Sequence, residues 1–225
     1  MIELAHRYGK DILADLIKVY SSNQANLIYG IALLRAVYGN VTDRDLRFRY
    51  LTSMASEISE LKDIDLSEKS ICNILEQLGL HPNEQDSFFK LRLERLVPGS
   101  KIAIDGMLKD CNLTTSTFCQ WSRKARKKGT KAISILYAFD IKSGLPILMM
   151  VFKGNELDQS SYDSFIEKFK DRKDVIVIAD KGFDRSKEKS KTSYLIPLKR
   201  SSMLAKEAVK SIDEKVNIKD REVLG

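Results

Sequence analysis

A chain of 225 residues with 43% apolar and 31% charged side chains is long enough to bury one large or two ordinary cores, which excludes a disordered polymer. No apolar run reaches the roughly 18 residues needed to cross a bilayer, and charges throughout MIELAHRYGKDILADLIKVY exclude a signal peptide, so the expected location is cytoplasmic with no membrane partner. A formal charge of +7 and a pI near 9.2 favour a polyanionic partner.

Residues 1–96 read as a helical N-terminal domain, because apolar residues recur at three and four in DILADLIKVY, NLIYGIALLRAVYG and SICNILEQLGL. Ser67 is placed as the N-cap region of EKSICNILEQLG, with Gly79 terminating that helix. The order helix, GNVTDRDL, helix, DIDLSEK, helix fits either a helix-turn-helix that reads DNA or a plain helical scaffold. Cys72, Cys111 and Cys119 form no CxxC pair and have only His6 and His81 beside them, which excludes a zinc site by spacing. All three are expected as reduced thiols.

The Pro-Gly break in VPGS, residues 97–100, marks a change of character and a domain boundary, with a second domain over 97–225. Beyond it come strand KIAIDGM, a polar and basic loop to Gly129, strand KAISILYAFD, turn IKSG and strand LPILMMVFKG. Helix ELDQSSYDSFIEKFKD, strand DVIVIAD, a lysine-rich linker and strand SYLIPLK follow. The glycine turn makes the second and third strands an antiparallel hairpin, while the helix before DVIVIAD predicts a parallel neighbour. The expected class is therefore α/β, a ribonuclease H-like mixed sheet preceded by an α-helical domain. The tail SSMLAKEAVKSIDEKVNIKDREVLG reads as a short amphipathic helix trailing into polar residues.

Asp105 and Asp180 each follow a short apolar strand and are each followed within two residues by glycine. A buried carboxylate without a partner is costly, so each is expected to meet a cation or face water. The plain alternative for either is a helix N-cap or turn residue. If the two strands are neighbours, the strand ends lie roughly 5 Å apart and the carboxylates share one site. Oxygen ligands without histidine or cysteine select Mg2+ or Mn2+ over zinc. Two such ions about 4 Å apart repel by roughly 17 kcal/mol at an effective dielectric near 20, more than two aspartates alone neutralise.

The segments IAIDG, LYAFDIKSGLPILMMVFKGNELDQSSY, VIVIADKGFDRSKE and YLIPLKRS resemble the catalytic core of the DDE transposases encoded by bacterial and archaeal insertion sequences, over residues 100–202. The resemblance implies two aspartates and one glutamate holding two magnesium ions that cut and rejoin DNA strands at transposon ends. Carried over by position, Asp105 is the first catalytic and metal-binding residue and Asp180 the second. In that family the glutamate lies on a helix beyond an inserted β-rich segment, after a tyrosine and an arginine at helical spacing. Glu207, Glu214 and Glu222 lack that setting, so the expectation is a C-terminally truncated transposase, inactive alone. Its expected partners are transposon-end DNA and a second copy or a full-length transposase, in a nucleoid-associated location. The competing readings are a non-catalytic DNA-binding protein or inhibitor, and a ribonuclease H-like nuclease completed by Glu207 or Glu156.

Around these residues, six of the eleven in WSRKARKKGTK are basic. Arg123, Lys124, Arg126, Lys127 and Lys128, with Lys181, Arg185 and Lys187 after Asp180, read either as solvated loops or as contacts to the DNA backbone. Trp121 either stacks on a base or anchors its loop. Asp158 reads as a helix N-cap.

Overall fold

The computed structural model describes residues 1–122, 129–156, 158–172, 174–180 and 193–197, together with residues 206, 210, 215–218 and 221–224. The chain forms two compact units, Met1–Arg95 and Leu96–Gly225. Among the described residues, no helix is long and apolar enough to cross a membrane.

The first unit holds five helices: α1 (Ile2–Val19), α2 (Ser22–Tyr38), α3 (Asp43–Leu51), α4 (Glu68–Leu80) and α5 (Pro82–Glu94), with two short 3-10 turns between α3 and α4. Side-chain oxygens cap three of them. Ser21 and Gln24 form a reciprocal capping box on α2, Thr42 accepts from Asp45 N, and Ser67 accepts from Ser70 N at 3.3 Å. Gly79 does not end α4, which runs one residue further and hands over to Pro82 at the start of α5. GNVTDRDL is not all linker either, because Thr42 starts α3 within it.

Leu13, Leu16, Tyr29, Leu34, Leu46, Leu61 and Ile71 form the core of this unit. A Cβ at Gly9 would sit 2.5 Å from the Tyr29 hydroxyl, so α1 and α2 meet closely only because that residue is glycine. The same hydroxyl lies 3.1 Å from His6 Nδ1, and burial, with the Glu60 charge adding to it, pushes the phenol up to about 12.

Helices α1 and α5 are joined by a buried ion pair. Asp15, 1% exposed, accepts from Arg92 Nη1 at 2.9 Å and from Arg95 Nε and Nη2 at 2.6 and 2.8 Å. Burial alone would raise the Asp15 carboxyl, but hydrogen bonds and charge from Arg95 and Arg92 outweigh it and hold the group below the usual carboxylate range.

The second unit is built on strands β1 (Lys101–Asp110), β2 (Gln120–Trp121), β3 (Lys131–Asp140), β4 (Pro146–Lys153), β5 (Ile176–Ala179) and β6 (Ser193–Leu195). β3 pairs antiparallel with β1 on one edge and with β4 and the short β2 on the other; β5 lies parallel to β1, and β6 parallel to β5. The five principal strands thus stand in the order β4, β3, β1, β5, β6. This is the ribonuclease H topology expected from the sequence.

The hairpin turn works as its residues suggest. Gly144 adopts φ 68°, and Asp140 accepts from Ser143 N at 3.0 Å and Ser143 Oγ at 2.6 Å. Helix α6 (Asp158–Glu167) packs on β3 and, with the turn after it, buries Tyr162, Phe165, Ile166 and Phe169. Ile102, Ile104, Leu136, Ala138, Leu148, Phe152, Val177 and Ala179 are among the strands' buried residues.

Cys111 and Cys119 are not reduced thiols but a disulfide, with Cα atoms 5.8 Å apart; Cys72 alone is free, and exposed. The cause is sheet geometry: Asp110 on β1 and Gln120 on β2 both pair with Ala132, from opposite edges of β3, so the adjoining cysteines flank one strand end. The tail is not helix alone. Lys206 and Lys210 are helical, but β7 (Lys215–Ile218) and β8 (Arg221–Leu224) form a separate antiparallel pair in which Val216 faces Val223.

Asp15→Asn leaves Arg92 buried without its counter-charge and is expected to destabilise the helical unit by about 3–5 kcal/mol. Because the folded carboxyl titrates below its unfolded value near 3.9, its contribution is full above that pH and fades as pH falls through the folded value. Acid unfolding followed by circular dichroism should therefore show a shallower acid limb in the variant. Replacing Cys111 and Cys119 by serine should cost about 2–3 kcal/mol from a loop of this length, read as a lower midpoint in thermal unfolding.

Candidate functional site

The β1–β5 ladder pairs Ile102 with Val177, Ala103 with Ile178 and Ile104 with Ala179. Asp105 and Asp180 are the next residues on these adjacent parallel strands, whose backbones run about 4.8 Å apart. Alternation puts the buried Ile102, Ile104, Val177 and Ala179 on one face and Asp105, with Ala103 and Ile178, on the other. Asp180 follows the same parity. Both aspartates are exposed, and Asp105 Oδ1 accepts from Gly106 N at 2.8 Å.

Asp180 stands at a strand end, as expected, but Asp105 does not. β1 continues to Asp110 along β3, with Asp105 opposite Tyr137. What ends just before Asp105 is the pairing with β5, whose last ladder pair is Ile104 with Ala179.

The face carrying Asp105 is apolar and only partly covered. Met107, Met149 and Val151 are 44%, 49% and 39% exposed, while Ile133, Ile135, Tyr137 and Phe139 are half-buried. Tyr137 and Phe139 meet edge to face with ring centroids 5.3 Å apart.

The donor set suits a hard divalent cation. Two carboxylates stand one strand apart on an exposed sheet rim, with oxygen as the only ligand type they offer. Among the described residues, no group of three histidine, cysteine, aspartate or glutamate side chains converges to hold a metal. Glu156 is not brought to the aspartates: it follows Lys153, which pairs with Ile133, four residues along β3 from Tyr137 and so about 13 Å away. Glu207 lies outside the described residues, as do Arg123, Lys124, Arg126, Lys127, Lys128, Lys181, Arg185 and Lys187. Helix α6 begins at Asp158, whose side chain is likewise outside them.

Two basic residues, Lys109 and Lys153, are isolated in the sequence, and a third, Lys131, closes the basic run WSRKARKKGTK. Lys109, Lys131 and Lys153 sit on β1, β3 and β4, and only strand pairing collects them. Their signal was parity: each lies an even number of residues from a side chain on the Asp105 face.

Residues 98–223, more than half of the chain, match the family model for the transposase DDE domain. No curated protein matches the sequence. Among solved structures, a piggyBac transposase in a synaptic complex with hairpin DNA is similar at 18% identity and a TM-score of 0.48, over 88% of this chain. The chain spans 45% of the length of that transposase. On the match of residues 98–223, the chain belongs to the transposase DDE domain family.

Proposed function

We propose that this chain carries the strand-cutting and strand-joining centre of a DDE transposase acting on transposon-end DNA. Asp105 and Asp180 are its two metal-binding catalytic carboxylates, and Mg2+ or Mn2+ is its cofactor. The observation that supports this best is the β1–β5 register, which sets two aspartates from distant parts of the sequence on neighbouring strands at one rim.

When bound, the cation supplies Lewis-acid activation of the phosphodiester and of the attacking hydroxyl. The protein's own contribution is placement. Pairing with β3 holds the Asp105 backbone, and the Gly106 amide donates to Oδ1 and so restricts the carboxylate. The apolar face beyond Asp105 offers exposed Met107, Met149 and Val151 to a bound strand. Arg123, Lys124, Arg126, Lys127, Lys128, Lys181, Arg185 and Lys187 are read as contacts to the DNA backbone that hold the strand.

A second reading has a specific observation in its favour: among the described residues no third carboxylate joins the pair. On that reading the chain binds transposon ends without cutting them, alone, as a dimer, or paired with a complete transposase, and acts as an inhibitor.

Nicking of labelled transposon-end DNA distinguishes the two. Magnesium-dependent cleavage by the unaltered chain, reduced on the order of 100-fold or more in Asp105→Asn and in Asp180→Asn, is the expected outcome. Equal cleavage by all three proteins would remove both aspartates from the chemistry. DNA binding without any cleavage would select the inhibitor. Duplex affinity should also fall steeply between 50 and 200 mM salt, with the logarithmic slope reduced by about 0.9 for each of the eight basic residues neutralised.

A further inference from the structure

The far end of the open sheet face is cationic and aromatic. Lys109 on β1 and Lys153 on β4 both pair with Ile133, from opposite edges of β3. Two residues along β3, Lys131 pairs with Trp121 on β2. Strand alternation puts all four on the face that carries Asp105. Trp121 is 62% exposed, and the Lys131 ammonium lies 6.0 Å from its ring centroid. Among the described residues, none of the three lysines is in an ion pair.

Those observations decide between the two roles open to Trp121. An indole that anchors a loop is buried in it, whereas this one keeps most of its surface in water and forgoes burial that would stabilise the fold. Three unpaired ammonium groups gathered on adjoining strands repel one another, and an anion relieves that repulsion. An aromatic plate among such charges matches a polyanion that also carries flat rings, which is nucleic acid, and does not match an acidic peptide or a lipid headgroup.

We propose that Trp121, Lys109, Lys131 and Lys153 form a subsite for an unpaired nucleotide. Its base stacks on the indole, and the lysines hold the flanking phosphates. The base must be unpaired, because a ring inside a duplex stack cannot present its face to a side chain on a sheet. Lys109 is four residues from Asp105 on the same face of β1, about 13 Å, a span that roughly four nucleotides cover at the duplex rise and fewer cover when unstacked. One strand therefore reaches both places. The inference rests on the DNA-processing role proposed above and adds the form of the substrate: a strand end, mismatch or overhang near the cleavage point.

Trp121 is the sole tryptophan of the chain, so its fluorescence reports the subsite directly. The full chain is titrated in EDTA, so that binding is read apart from cleavage. The probes are a fully paired duplex, the same duplex with a short single-stranded overhang, the overhang made abasic, and polyglutamate. Saturable quenching by the overhang duplex, much weaker with the paired and abasic probes, is the expected result. Overhang affinity should fall by roughly 5- to 150-fold in Trp121→Ala and be largely kept in Trp121→Phe. Replacing the three lysines by alanine should lower the salt slope for single-stranded DNA by about 2. Circular dichroism confirms the folding of each variant. Equal quenching by polyglutamate or by the abasic probe, or unchanged overhang affinity in Trp121→Ala, would overturn the subsite. Cleavage with no quenching sinks the subsite alone, and quenching with no cleavage sinks only the catalytic reading.

Discussion

The register of β1 against its two neighbours is the constraint on which the site depends. Burial of Ile102 and Ile104 with Val177 and Ala179 locks the parallel pair in place, since a slip of one residue would turn those side chains to solvent. The same lock puts Asp105 beside Asp180 and on their face. The carboxylates are thus positioned by apolar packing on the opposite side of the sheet, without any direct interaction being needed to bring them together.

The two faces of the sheet divide the work. One is closed by α6 and its aromatic side chains and, among the described residues, carries the fully buried apolar side chains of the strands. The other keeps an apolar middle at the surface, with acid at one end and lysine and tryptophan at the other. A gradient of that kind along one face is what the proposed function asks for: an extended polyanion held at the basic end, with a cation between it and the acidic end. The disulfide belongs to this arrangement, because Cys111 and Cys119 adjoin the two residues that pair with Ala132 and so tie β2, with Trp121, to the end of the sheet.

The helical unit is organised differently. Its polar interior is concentrated at Asp15, which takes hydrogen bonds from two arginines 77 and 80 residues away in the chain. Without those donors, a carboxylate 1% exposed would be strongly destabilising, so the pairing selects one way of closing α5 onto α1.

Much of this was legible in the residues themselves. Local patterns identified the helices, the Gly144 hairpin, the order of the main strands and the two aspartates, because periodicity, turn residues and a charge at the end of an apolar run are properties of neighbours in the chain. The sequence also carried the marks of its family over residues 98–223. What it could not determine was anything that depends on strands meeting across the sheet. The disulfide joins cysteines with no recognisable spacing, and β1 runs past Asp105 because β3 extends to pair with it. Lys109, Lys131 and Lys153 become one cluster, and Trp121 an exposed plate, only when three strands and the short β2 are aligned. Register is set by the sum of many weak side-chain contacts between distant segments, and that sum exists only in the folded chain.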